Sequence, residues 1–254
     1  MPEVEINGVK INYVVEGEGP ETIVFIHGLG ENLESWRHQT KYFSKDFKVV
    51  ALDLRGHGKS GIPKKKIEIA DFAEDVVGLL YHLGIKKAHF CGLSMGALVV
   101  FEAYKRHPGY FLSMILVVAR PQFPPAQTAA LEYMSMEAIG GQVAVFALSA
   151  NASESLREKV AKMIAGTRKD IYIQSAEATS SLNYTDLLHE IKVPTLIVVG
   201  ELDVVAPVDP AELMNRIIHG SILKVMPGVG HLPNRENPNG FNKIVKNFLY
   251  KIEV

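Results

Sequence analysis

The stretch AHFCGLSMG, residues 88–96, decides the fold of this chain. The apolar run 88–91 predicts a buried strand, and the residue spacing over 95–107 predicts a helix. Ser94 then lies on a tight turn from strand to helix, where two glycines leave room for the neighbouring backbone. Such a turn presents the serine hydroxyl at the carboxyl end of the strand, and the following helix N-terminus favours an oxyanion there.

Short runs rich in β-branched residues recur along the chain and predict a mostly parallel sheet with helices on its faces. An antiparallel pair precedes these runs, because Asn7-Gly8 between two strand-like segments is a strong hairpin signal. The runs predict six buried strands, which are Thr22 to Ile26, Lys48 to Leu52, Ala88 to Cys91, Met114 to Val118, Thr195 to Val199 and Ile222 to Val225.

Helical spacing and end signals predict the helices between the strands. Apolar residues from Asp71 to Leu83 follow helical spacing and stop at a glycine. Asp209 is predicted to be an N-cap, with Pro210 at the first position of a helix that extends to about Ile218. The last predicted helix spans Phe241 to Tyr250.

The alternation of strand and helix breaks between Arg120 and Ile191. Three prolines open this segment, no strand run appears in it, and Ala, Met, Ser and Glu at helical spacing fill it. It is too long for an ordinary loop. We therefore predict that residues 121–190 form a helical cap over one end of the sheet, and that residues 1–120 and 191–254 form one discontinuous core.

Two further loops predict the partners that Ser94 needs. A serine nucleophile requires a base, and the base requires a group that orients it. Asp203 follows the strand predicted over 195–199, and His231 follows the strand predicted over 222–225. The carboxyl ends of parallel strands meet at one edge of a sheet, and the order nucleophile, acid, histidine is the one expected after such an elbow. The sequence thus predicts a catalytic triad of Ser94, Asp203 and His231.

Competing residues have structural interpretations. Glu201 comes earlier in its loop than Asp203, and Asp209 is better used as a helix cap. His219 lies at a predicted helix end, where a cation suits the helix dipole. His27 stands beside two glycines and is interpreted as a residue that holds its loop in place.

An oxyanion also needs two preorganised N–H donors. The backbone of Met95, directly after the nucleophile, is the first predicted donor. The second is expected from HGLG, residues 27–30, because its glycines allow close approach of the backbone, and Leu29 is the predicted donor.

These motifs together resemble those of the α/β-hydrolase superfamily, in particular its smaller esterase-like members with a helical cap. The resemblance covers nearly the whole chain, from the loop 27–30 through DLRGHGKS at 53–60 and the elbow at 92–96 to Asp203 and His231. It implies an α/β fold with a mostly parallel twisted sheet of about eight strands, flanked by helices and carrying an inserted cap.

The resemblance also implies a carboxylesterase-like serine hydrolase that works through an acyl-enzyme, without a cofactor or metal. The cap is expected to supply an apolar substrate pocket, and the residues predicted to line it are Phe123, Tyr133, Met134 and Phe146. Four alternatives stay open: hydrolysis of enol-lactones or other lactones, hydrolysis of C–C bonds, cofactor-free haloperoxidase or perhydrolase chemistry, and a non-catalytic ligand receptor of the same fold.

Composition excludes several classes of protein. The 254 residues include 27 Lys and Arg against 28 Asp and Glu, and 47% are hydrophobic. A nucleic-acid binder would show a cationic excess, and a disordered chain would be poor in apolar residues. No apolar run approaches the roughly 20 residues of a membrane span, and no signal-peptide pattern is visible. We expect a cytoplasmic monomer or homodimer that acts on a small neutral ester or lactone, without nucleic-acid or membrane partners.

Overall fold

Eight strands form one sheet in the computed structural model, which describes residues 2–180 and 182–252. In chain order they are β1 (Glu3–Ile6), β2 (Val9–Glu16), β3 (Thr22–Ile26), β4 (Lys48–Leu52), β5 (Ala88–Leu93), β6 (Phe111–Val117), β7 (Thr195–Gly200) and β8 (Ile222–Met226). Their order across the sheet is β1-β2-β4-β3-β5-β6-β7-β8. Strands β3 to β8 run parallel, whereas β1 and β2 pair antiparallel at one edge.

Helices pack on both faces of this sheet, and the predicted mostly parallel, helix-flanked architecture is confirmed. The α-helices are α1 (Arg37–Phe43), α2 (Ile69–His82), α3 (Met95–Arg106), α4 (Met136–Ala147), α5 (Glu154–Ala165), α6 (Lys169–Ser180), α7 (Val208–Ile217), α8 (Pro233–Glu236) and α9 (Pro238–Leu249). Short 3-10 helices span Leu33–Trp36, Pro108–Tyr110, Ala129–Tyr133 and Asp186–Glu190. Within the described ranges, none of the helices has the length and apolarity to cross a bilayer.

Side chains of the central strands alternate between two apolar clusters. Val24 and Ile26 of β3 join the cluster that includes residues of α2 and α3. Ile23 and Phe25 of the same strand join the cluster that includes residues of α1 and α9. Because both faces of the strand are buried, its sequence is a continuous apolar run and shows no polar alternation.

The two edges of the sheet differ from each other. The predicted hairpin is confirmed, since Asn7 and Gly8 have φ values of 50° and 74°, as a two-residue turn between β1 and β2 requires. At the other edge, the strand predicted over 222–225 is present, but the prediction that it is buried was wrong. β8 pairs only with β7, and every residue of it except Met226 is exposed or half-buried.

Two predicted element ends also shift. Helix α7 begins at Val208 after an extended Pro207, so Asp209 is not its N-cap but a residue of the first turn, followed there by Pro210. First-turn N–H groups have no partner within the helix, which is why a proline is tolerated there. Strand β6 ends one residue early: Val118 has φ 47°, a rare conformation for a β-branched residue.

Helices dominate the segment predicted to be a cap. Residues 121–190 contain α4, α5 and α6, and one isolated antiparallel bridge joins Gln122 to Asn183. Helices α4 and α5 touch backbone to backbone, because a Cβ at Gly140 would overlap the carbonyl oxygen of Ala161. The division of the chain into core and cap stays a prediction.

Adjacent glycines in α4 allow a matched test of this helix pair. Replacing Gly140 with alanine should force α4 away from α5 and lower the free energy of unfolding by about 1–3 kcal/mol. A Cβ at Gly141 meets nothing within 4 Å, so Gly141→Ala should raise it by up to about 1 kcal/mol through helix propensity. Urea denaturation of both variants measures the difference. Equal effects of the two substitutions would contradict the close approach of the helices.

Candidate active site

Ser94 lies on the turn between β5 and α3, at the carboxyl end of the strand. Its backbone angles are φ 53° and ψ −114°, and a positive φ is uncommon outside glycine. The N–H of Ser94 donates to the carbonyl of Val117 on the neighbouring strand at 2.9 Å. The tight, strained turn that the sequence predicts is therefore present, and the adjacent strand holds it.

Two glycines allow this turn to close. A Cβ at Gly92 would overlap the carbonyl oxygen of Gly96, and a Cβ at Gly96 would overlap the carbonyl oxygen of Ile26. Neither position accepts a larger residue unless backbone moves. The spacing of glycines around Ser94 is thus a packing requirement of the strand, the turn and the neighbouring strand together.

Asp203 and His231 meet at the same edge of the sheet. The Nδ1 atom of His231 lies 2.7 Å from Oδ2 of Asp203, and both side chains are buried. The other carboxylate oxygen accepts from the N–H groups of Val205 and Ala206 at 2.8 and 2.9 Å, which orients the carboxylate. An ionised carboxylate only accepts, so Nδ1 carries the hydrogen and Nε2 is left free to act as a base.

One cavity of about 240 Å³ joins the predicted residues. Ser94 and His231 both line it, together with Gly28 and Leu29 from the loop after β3. Among the described residues, no hydrogen bond joins the Oγ atom of Ser94 to His231. Such a contact between nucleophile and base is often long when no substrate is bound. The structure therefore brings the serine and the Asp–His pair to a shared space.

The two predicted oxyanion donors lie on the two segments next to this space, and Leu29 itself lines it. Met95 is the first residue of α3, where a backbone N–H has no acceptor within the helix. Leu29 follows Gly28, and its backbone lies in a loop that lines the cavity beside Ser94. The role of these two N–H groups as oxyanion donors stays a prediction.

His27 holds the loop that carries Leu29. Its Nε2 accepts from the N–H of Leu54 at 3.0 Å, so Nδ1 carries the hydrogen and donates to the carbonyl of Gly28 at 2.8 Å. The ring is fully buried, and burial lowers the pKa of His27 to about 4. This neutral, doubly bonded imidazole agrees with its interpretation as a residue that pins the loop.

The structure places the four predicted pocket residues differently. Phe146 lines the cavity. Tyr133 is 94% exposed. The guanidinium carbon of Arg120 lies over the ring of Phe123, 5.7 Å from the centre of that ring. Met134 packs against the cluster around α1 and α9. Phe123, Tyr133 and Met134 precede α4 in the chain. From that part of the chain Leu131 lines the cavity, and helices α4 to α6 supply the other residues of segment 121–190 in its wall.

Apart from Phe146, the sequence analysis missed the residues that helices α4 to α6 contribute to the cavity wall. Helix α4 contributes one face to it, at positions 139, 142, 143, 146 and 147, and α5 and α6 contribute Val160, Ile164 and Tyr172. The spacing within α4 is that of a single helical stripe. This stripe is a signal that a helical-face count over 136–147 could have found.

An acidic residue of the cavity was also missed. Glu31 follows the oxyanion loop and is 4% exposed. One oxygen accepts from the N–H of Gly28 at 3.2 Å, and the other lies 3.5 Å from Nη1 of Arg235. Burial raises the pKa of Glu31, and the Arg235 charge opposes that shift. Without the tertiary structure, an isolated glutamate in a loop gives no sign that it is buried.

The buried His27 makes stability depend on pH. The unfolded imidazole titrates near 6.5, whereas folded His27 stays neutral down to about pH 4. Between these values only the unfolded state binds the proton, so acidification should lower the free energy of unfolding by up to about 3 kcal/mol through this residue. His27→Gln should reduce the slope of that free energy between pH 6.5 and 4, measured by urea denaturation. An unchanged slope would show that other groups cause it.

Comparison with known proteins agrees with this geometry. Residues 21–137, which include the oxyanion loop and the elbow, match the family described as alpha/beta hydrolase fold. The 3-oxoadipate enol-lactonase 2 of Acinetobacter baylyi is 30% identical, over 94% of this chain and 92% of the relative.

Solved structures show the same fold throughout. The enol-lactonase from Burkholderia xenovorans has a TM-score of 0.93 at 28% identity and covers 98% of this chain and 100% of its own. A thermophilic esterase from Thermogutta terrifontis has a TM-score of 0.90 at 25% identity and covers 100% of both. Because the match extends from end to end in sequence and in fold, this chain belongs to the α/β-hydrolase family and is a hydrolase.

Proposed function

We propose that this chain is a carboxylesterase-like serine hydrolase that cleaves small neutral esters with Ser94, His231 and Asp203. One observation carries the proposal: the elbow serine shares a cavity with a histidine whose Nδ1 lies 2.7 Å from a buried aspartate. The similarity to a solved esterase at 25% identity supports the proposal of ester hydrolysis.

Acylation follows from these positions. Ser94 Oγ attacks the acyl carbonyl carbon while Nε2 of His231 takes the hydroxyl proton. Asp203 stays ionised, keeps the imidazole in the Nδ1–H tautomer and stabilises the imidazolium. The tetrahedral oxyanion accepts from the N–H groups of Leu29 and Met95, because preorganised donors stabilise charge as it develops.

Product release uses the same groups in reverse. The imidazolium of His231 donates its proton to the leaving oxygen, the ester C–O bond breaks, and the alcohol departs from an acyl-enzyme on Ser94. Water then attacks the acyl carbon while His231 takes its proton. Collapse of the second tetrahedral intermediate releases the acid and returns the proton to Ser94, so the steps balance with water as the only co-substrate.

The cavity indicates the size and polarity of the substrate. Its volume of about 240 Å³ lies just below the range of roughly 300–1,000 Å³ typical of ligand pockets. Ile139, Val143 and Phe146 of α4 face Leu29 and Leu93 of the core across it. An apolar wall of this size fits a short acyl or alcohol group. We propose that helices α4 to α6 act as the substrate-binding cap that residues 121–190 are predicted to form.

Lactone hydrolysis is a second candidate for this site. Two relatives, 30% and 28% identical, are 3-oxoadipate enol-lactonases, and a solved enol-lactonase has a TM-score of 0.93. A lactone is an internal ester, so the attack by Ser94 is unchanged and the leaving oxygen stays tethered to the acyl group. Simple lactones belong beside p-nitrophenyl esters in any substrate panel for this chain.

Removal of the nucleophile tests the proposal directly. Ser94→Ala should lower turnover of p-nitrophenyl butyrate by about three to six orders of magnitude, because the other triad groups cannot replace the attacking oxygen. It should also abolish labelling by a fluorophosphonate probe. Ser44→Ala, which changes a serine at the end of α1, should leave both unaffected. Turnover retained by Ser94→Ala would exclude Ser94 as the nucleophile. A wild-type chain that neither labels nor hydrolyses would favour a receptor.

Two cap aromatics test where the substrate lies. Phe146→Ala should lower kcat/KM for p-nitrophenyl butyrate about tenfold, because it removes apolar contact at the cavity wall. Tyr133→Ala is the matched control, since Tyr133 is 94% exposed and lies outside that wall. Steady-state kinetics on both variants gives the comparison. A larger effect from Tyr133→Ala would move the substrate to another part of the cap.

A further inference from the structure

Glu31 is an acidic residue on the cavity wall that the proposed mechanism does not use. It lines the same cavity as Ser94 and His231 and is 4% exposed. A tight turn places it, because its N–H donates to the carbonyl of Gly28 at 3.2 Å and its Oε2 accepts from the N–H of Gly28 at 3.2 Å. One carboxylate oxygen is therefore committed to the backbone of the oxyanion loop.

Within the described part of the chain, the other carboxylate oxygen makes an ion pair but no hydrogen bond. Glu31 Oε1 is buried and has no hydrogen-bond partner among the described residues. The cation beside it is Nη1 of Arg235, 3.5 Å away. Glu31 is part of the cavity wall and Arg235 is not, so this ion pair presents its negative member to the substrate space.

The rest of the described wall supplies no fixed cation. It contains neither lysine nor arginine, and its titratable members besides Glu31 are Tyr172 and His231. Burial raises the pKa of Tyr172 to about 12, so the phenol is neutral. His231 must be neutral to take the proton from Ser94. A carboxylate on the substrate would lose hydration here without gaining a cationic partner, and it would face Glu31.

We propose that Glu31 is a specificity-determining residue that admits neutral acyl groups and excludes substrates with a carboxylate on the acyl chain. The inference rests on the proposed ester hydrolysis at Ser94 and names the class of substrate that this site takes. Repulsion between two isolated unit charges several ångströms apart at intermediate dielectric corresponds to at most about 100-fold discrimination. The Arg235 charge 3.5 Å from Glu31 offsets part of this repulsion and lowers the expected discrimination toward about tenfold.

A pair of esters that differ only in charge tests this assignment. One is the p-nitrophenyl monoester of adipic acid, which carries a carboxylate at its far end, and the other carries a carboxamide of nearly the same shape there. The wild-type chain should show a kcat/KM at least about tenfold higher for the carboxamide ester. Glu31→Gln removes the charge and keeps an oxygen that can accept from Gly28, so it should bring the two values within about threefold of each other.

Glu34→Gln is the matched control, because it makes the same chemical change at an exposed glutamate three residues along the chain. It should leave the ratio of the two kcat/KM values at the wild-type level. Equal rates on both esters in the wild-type chain would overturn the inference even if Glu31→Gln does not fold. A wild-type ratio in a folded Glu31→Gln would overturn it as well. A wild-type chain that hydrolyses neither ester would instead overturn the proposed function, and this inference with it.

Discussion

The close approach of three backbone segments at Gly92 and Gly96 is the contact on which the site depends. A side chain at Gly92 would separate β5 from the start of α3, and one at Gly96 would separate α3 from the end of β3. The same contact therefore closes the turn at Ser94 and holds the loop with Leu29 against the helix N-terminus. The proposed nucleophile and the proposed oxyanion donors therefore depend on the same backbone contact, and the surrounding structure holds Ser94 in its strained conformation.

A second backbone contact joins the loops that carry Asp203 and His231. A Cβ at Gly200 would overlap the carbonyl oxygen of Gly230, so the loops after β7 and β8 pass each other without intervening side chains. The N–H of Leu202 donates to the carbonyl of Val229 at 2.9 Å and ties these loops together. Asp203 and His231 then meet because their loops are locked, although 28 positions separate them in the chain.

Local signals account for the parts that could be predicted. Each of these signals depends on residues within a few positions of one another, so one sequence is enough to detect it. They are the strand runs, the Asn7-Gly8 hairpin and the elbow around Ser94. The cavity wall does not behave this way. It depends on which face of α4 turns inward, and this is settled by the packing of α4 on α5 at Gly140. Tyr133 was predicted to line the pocket because it is aromatic, but in the structure its ring is exposed to solvent.

The sequence by itself determined the α/β class and the order of strands along the chain. It also determined Ser94, Asp203 and His231 as candidates, because turns and strand ends depend on residues that are close together in the sequence. Only the tertiary structure decided what surrounds them. It showed that Glu31 is buried in the cavity beside Arg235 and that His27 is neutral and bonded on both nitrogens. Burial and charge pairing are properties of groups distant in the chain, so they exist only once the sheet has brought its loops together.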